Sequence, residues 1–125
     1  MLAAVAAHQG IESDLIPRIA TVFCSGQAQM GGQCGALTAG LMALSMVEGR
    51  NGISDPREAL YRKANLLVDG FRQEFEHTLC PDLIRIDLKS PDASEQYQAG
   101  GLKSQCEGYI RYVTTRTIQI LGENQ

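Results

Sequence analysis

At 125 residues and 13.6 kDa the chain has the length of one domain, spanning 1–125, with enough of it to bury a genuine core. A composition that is 44% hydrophobic and 20% charged is that of an ordinary globular protein. The net charge of −3, with Lys and Arg scattered singly, argues against a nucleic-acid partner, which a basic stripe would mark.

The first element, Leu2 to Gln9, reads as a helix or the end of one, closed by Gly10. It is apolar but no basic region precedes it, so a signal peptide is not expected. A helix that starts at the first residue suggests a chain that extends further upstream. Ser13 then caps a second helix with Pro17 in its first turn, running to about Phe23. Three glycines in the ten residues Cys24 to Gln33 favour a loop.

Cys34 to Val47 follows, apolar nearly all round, and should be the central helix. Ala36, Ala39, Gly40 and Ala43 remove bulk from its faces, so that other helices can approach its backbone. It falls short of the roughly 18–20 apolar residues needed to cross a bilayer, and no membrane insertion is expected. The longest helix is predicted from Ser54 to about Leu79, capped by Ser54 or Asp55, on the spacing of Leu60, Ala64, Leu67, Val68, Phe71, Phe75 and Leu79. The Cys80-Pro81 junction stops it.

Asp82 to Leu88 reads as a short helix, and Ser90-Pro91-Asp92 as the start of another, which Gly100-Gly101 breaks. The last element carries Cys106, Tyr109, Ile110, Val113, Thr117, Ile120 and Leu121 on one helical face. Its β-branched centre would tolerate strand, but no partner strand is evident. The fold class is therefore all-α: a bundle of about five helices around a central apolar helix at about 34–48.

Chemistry concentrates in four cysteines. Nine residues separate Cys24 from Cys34, 45 separate Cys34 from Cys80, and 25 separate Cys80 from Cys106. No CxxC pair occurs, so zinc-finger, thioredoxin-like and ferredoxin-like signatures are absent. Without an export signal the chain is expected in the cytoplasm, where thiols stay reduced, rather than as a disulfide framework. Cys34 lies at a predicted helix N-terminus, where the dipole and free N–H groups are expected to stabilise a thiolate. Cys80 ends the long helix beside a proline, Cys24 opens the glycine loop, and Cys106 is the one most easily explained as core.

His77 could share a helical face and a metal ion with Cys80, though a surface histidine is the simpler reading. Met42 and Met46, four residues apart, read as core filler rather than thioether ligands. No Ser/His/Asp grouping, no phosphate-cradling loop and no HExxH occur. CxxCH is also missing, which argues against covalent haem.

Phe23-Cys-Ser-Gly, Gly31-Gly-Gln-Cys-Gly-Ala-Leu-Thr-Ala-Gly-Leu-Met-Ala-Leu44, Phe71-Arg-Gln-Glu-Phe75, Cys80-Pro-Asp-Leu83 and the late Cys106 together resemble the C_GCAxxG_C_C family of redox-active proteins. The chain also looks related to the non-haem part of split-Soret cytochromes. The resemblance implies that Cys34, Cys80 and Cys106 match three of the family's four characteristic cysteines. The fourth normally lies near the start, where this chain has none, and Cys24 is the alternative donor. Ala39-Gly40 reverses the expected Gly-Ala order, but both residues are small.

By that resemblance an iron–sulfur cluster held by Cys34, Cys80, Cys106 and Cys24 is expected, serving an unidentified redox partner protein, with zinc as the alternative metal. Two other readings stay open. One makes Cys34 the attacking thiolate of thiol–disulfide chemistry, and the other is a structural or partner-binding helical module with inert cysteines. The generous apolar faces also allow a homodimer.

Overall fold

Among residues 1–123, which the computed structural model describes, every regular element is helical and the only strand-like pairing is one isolated bridge. In chain order the elements are α1 (Leu2–His8), a 3-10 helix η1 (Arg18–Phe23), α2 (Cys24–Gln29), α3 (Gly35–Glu48), α4 (Glu58–Phe75), α5 (Cys80–Ile84), α6 (Ala93–Ala99) and α7 (Leu102–Gly122). The all-α class is as the periodicities predict. Seven helices replace the five expected because the 24–33 loop and the 80–101 region each contain short helical turns.

The centre is built by α3, α4 and α7. Gly40 marks their crossing: a Cβ there would stand 2.5 Å from Val113 Cγ1 and 2.8 Å from Leu67 Cδ2. Only a residue without a side chain lets the three backbones approach so closely. Leu37, Leu44, Leu67, Phe71, Val113 and Ile120 are fully buried around this point. Towards one end Phe71 and Phe75 of α4 stack edge-on and tilted against Tyr109 and Tyr112 of α7, with centroids 4.8–6.2 Å apart. At the other end the buried Lys63 ammonium meets Glu48 at 2.6 Å, beside the carboxyl terminus of α3. α1 packs on the remaining face of α3, through Leu2, Val5 and Ala43.

Two predicted helices are shorter than expected. Ser13 to Phe23 forms turns and η1 rather than an α-helix, and η1 buries no residue. Pro17 explains this, since it lacks an N–H and disfavours helical backbone at Ile16. The helix predicted over 54–79 occupies only Glu58–Phe75. Asp55 does not cap it. Its carboxylate accepts the N–H groups of Asn51 and Gly52 at 3.0 Å and closes the preceding turn instead. At the far end Glu76 adopts φ +70°, and the chain continues extended to Leu79.

The predicted glycine loop contains a left-handed turn. Ser25, Gly26, Gln27, Ala28 and Gln29 all have φ between +55° and +67°. Such a run is costly for residues with a Cβ and persists only where neighbours over-determine it. Between the 11–19 segment and α3 an apolar groove of about 560 Å³ is lined by Leu15, Ile16, Ile19, Leu41, Met42 and Met46 among others. Among the described residues no helix is long and apolar enough to cross a membrane.

Candidate functional site

The site grows from a short backbone pairing. Gln33 and Leu79 form the antiparallel bridge. On its two sides the Cys34 N–H donates to Thr78 O at 2.8 Å and the Cys80 N–H donates to Gly32 O at 2.9 Å. Alternation along both strands puts Cys34 and Cys80 on the same face, diagonal to one another across the pair. Each then starts or caps a helix, Cys34 as the N-cap of α3 and Cys80 as the first residue of α5.

Glycines make room for this arrangement. Gly26, in the left-handed turn, lies so close that a Cβ on it would stand 2.7 Å from Cys80 Cβ. A Cβ on Gly35 would meet Phe23 O at 2.8 Å and Cys24 Cα at 3.3 Å. The third thiol comes from α7. Cys106 interacts electrostatically with both Cys34 and Cys80, and the last two also interact with each other. Gln105, beside it, donates through Nε2 to Leu83 O at 2.8 Å and so ties α7 to α5.

The electrostatics reverse one expectation. Cys34 was expected to be acidified by its helix terminus, but its thiol is only 8% exposed and burial pushes its pKa up. The N–H groups of Leu37 and Ala36 pull the other way without closing a cap hydrogen bond, and they do not prevail. Loss of water disfavours the charged form more strongly than a half-engaged helix end favours it. The nearby Cys106 adds to the upward shift. Cys80 is pushed up to about 11, by burial first and then by Cys34 and Cys106. A cation placed among these thiols would favour the thiolate forms that burial, and to a lesser degree their neighbours, now disfavour.

Of the four cysteines read from the sequence, three converge: Cys34, Cys80 and Cys106. Cys24 has its backbone beside Gly35, but its side chain is exposed. Cys106, the one most easily explained as core, is half-buried and faces the other two. His77 shares no helical face with Cys80, because α4 ends at Phe75 and His77 is exposed in the extended segment beyond it. Among the described residues no three His, Cys, Asp or Glu side chains are gathered tightly around the position of a single ion. All four cysteines are free thiols.

One residue of the site escaped the sequence reading. Tyr97 of α6 is half-buried and packs against the same core cluster as Cys106. Its pKa is raised, first by loss of hydration and then by the hydrogen-bonding interaction with Cys106. No local pattern links the two, since they belong to different helices separated by a glycine pair.

Residues 1–120 match the family model described as "Putative redox-active protein (C_GCAxxG_C_C)". The chain belongs to this family. No curated protein and no solved structure matches it. Membership of the C_GCAxxG_C_C family agrees with the sequence reading and assigns the chain to a redox-active class. In this member the cysteines that the resemblance singled out are the three that the fold brings together.

Proposed function

We propose that this protein is an iron–sulfur redox protein whose cluster is held by Cys34, Cys80 and Cys106. The observation that carries the reading is the convergence of three thiols, from three separate parts of the chain, into one half-buried place. Soft thiolates are the donors that iron–sulfur centres and zinc both take.

The resemblance to the C_GCAxxG_C_C family and to split-Soret cytochromes favours a cluster, with a single zinc ion as the alternative. Zinc requires every sulfur at about 2.3 Å from one point. Diagonal residues in an antiparallel pair stand about 7–8 Å apart at Cα, with Cβ atoms somewhat closer. Sulfurs carried on such positions span a multinuclear centre when their side chains stay parallel, and meet at one ion only when they converge. The same spacing exceeds the usual Cα reach of a disulfide, about 4.4–6.8 Å, which works against direct Cys34–Cys80 thiol–disulfide chemistry.

When bound, the cluster would supply an electron-transfer couple. The chain's own contributions are separate. The bridge at Gln33 and Leu79 holds Cys34 and Cys80 in register, and Gln105 holds α7 at the height that brings Cys106 opposite. The surrounding core keeps water from much of the site, and the fourth coordination position is left to Cys24 or to a ligand from outside the chain. Cys24 reaches it only if the left-handed turn re-forms. Free thiols support a reducing compartment, the cytoplasm, where a partner protein would exchange electrons with the site.

The test is iron, sulfide and zinc analysis with a visible spectrum, on anaerobically purified protein and its single Cys→Ala variants. Iron and sulfide in matching amounts are expected in the parent and in Cys24→Ala, and lost from the variants at 34, 80 and 106. A colourless, metal-free parent from iron-replete cells would overturn the reading. Zinc without sulfide would replace the cluster with the single ion.

A further inference from the structure

We infer that the groove between the 11–19 segment and α3 binds a neutral lipophilic carbonyl compound, whose oxygen accepts a hydrogen bond from Thr38. This site is separate from the thiol trio and does not depend on the cluster reading.

Size, charge and hydrogen bonding together define the occupant. The volume of about 560 Å³ lies within the range of small-molecule sites, about 300–1,000 Å³. Thr38, Leu41, Met42, Ser45 and Met46 follow one another at spacings of three, one, three and one, so they share one face of α3. That face forms a wall about 12 Å long, at a rise of about 1.5 Å per residue. Leu15 and Ile19 line the groove across from it and are 58% and 55% exposed. A ligand seated between them and α3 takes apolar surface on both sides out of water, and so does the ligand's own surface.

Among the described residues that line the groove none is charged. An ionised ligand would lose water there without meeting a counter-charge, which selects for neutral molecules. The polar determinant is Thr38. Its Oγ1 accepts a hydrogen bond from Gln33 Nε2 at 2.9 Å. Thr21 and Thr114 donate their hydroxyl protons to carbonyls four residues back, Pro17 O and Ile110 O. Thr38 makes no such bond among the described residues, so its proton is free at the groove wall. A carbonyl oxygen, which accepts and has no proton to place, is the complement of that donor. Thr38 stands about one turn of α3 from Cys34, so the oxygen end of the ligand lies at the end of the groove nearest the thiol site.

The test is a proton–nitrogen NMR titration of the full chain with 2-decanone, which reads both the place of binding and the affinity. Shifts are expected at the amides of 11–19 and 38–46. Decanoate, equal in chain length but ionised at neutral pH, is expected to bind about tenfold more weakly. Thr38→Val keeps the shape and removes the donor, and should lose about fivefold in affinity, the effect of one lost hydrogen bond. Ile19→Glu changes an exposed side chain of η1, which buries no residue, and should lose about tenfold. Ile53→Glu, exposed and outside the groove, should match the parent. The absence of shifts with 2-decanone, or shifts confined to other segments, overturns the inference. Equal affinity for decanoate, or in either Thr38→Val or Ile19→Glu, overturns it as well. A parent that does not bind 2-decanone and sediments as a dimer that Ile19→Glu dissociates would give the groove to a second copy of the chain instead.

Discussion

Cys34 and Cys80 lie diagonally across a single antiparallel bridge, each held by its own backbone N–H, at 2.8 Å to Thr78 O and 2.9 Å to Gly32 O. Their positions therefore depend on main-chain bonds that no side-chain substitution removes. The fold can lose either sulfur without losing the frame that presents it.

That frame makes stability depend on pH in a definite direction. Cys80 holds its proton up to about 11 in the folded chain, against 9.0 for an unperturbed thiol. Between those values the unfolded chain has released a proton that the folded chain keeps, so stability falls as pH rises. The contribution is complete below pH 9 and gone above about 11, and Cys34 shifts in the same sense. Urea midpoints of metal-free protein should therefore decline across this window. Cys80→Ala should decline less, and an identical slope in the variant would show that the thiol is not the cause.

The left-handed turn gives a second expectation. Gly26→Ala adds a Cβ at φ +67° and places it 2.7 Å from Cys80 Cβ. The backbone conformation alone costs about 1–2 kcal/mol, and the contact adds to that. Chemical denaturation should show at least this loss, and iron retention should fall because Cys80 is the atom displaced. Gly10→Ala, also at positive φ but with open space around it, separates the two effects: it should lose stability while keeping its iron.

The ion pair at the opposite end of α3 should respond asymmetrically. Lys63 has a side chain 4% exposed, whereas Glu48 is 30% exposed. Glu48→Ala strands a buried ammonium and should cost about 3–5 kcal/mol. Lys63→Met leaves a carboxylate that water can reach and an apolar stem in the same space, so it should cost clearly less. Equal losses in thermal or urea unfolding would show that the pair is not desolvated in solution.

Much of this protein was legible without its structure, and the legible parts are those that local spacing governs. The all-round apolar run from Cys34 with its small residues specified a central helix, and Gly40 proved to be the crossing point. The face from Cys106 to Leu121 specified α7, and the cysteine contexts specified the family. The helix ends were less legible. Pro17 shortened one helix, and Asp55 used its carboxylate on a turn rather than on a cap.

Tertiary structure alone decided which thiols meet. Cys34 and Cys80 are separated by 45 residues, and the pairing that aligns them consists of backbone bonds with no side-chain signature. Cys24, the nearest in sequence to Cys34, is turned outward by a left-handed run that few sequences with Ser, Gln and Ala would suggest. The acidity of Cys34 was likewise decided by burial. A helix N-terminus can be read from neighbouring residues, but desolvation depends on what the rest of the chain packs over the sulfur.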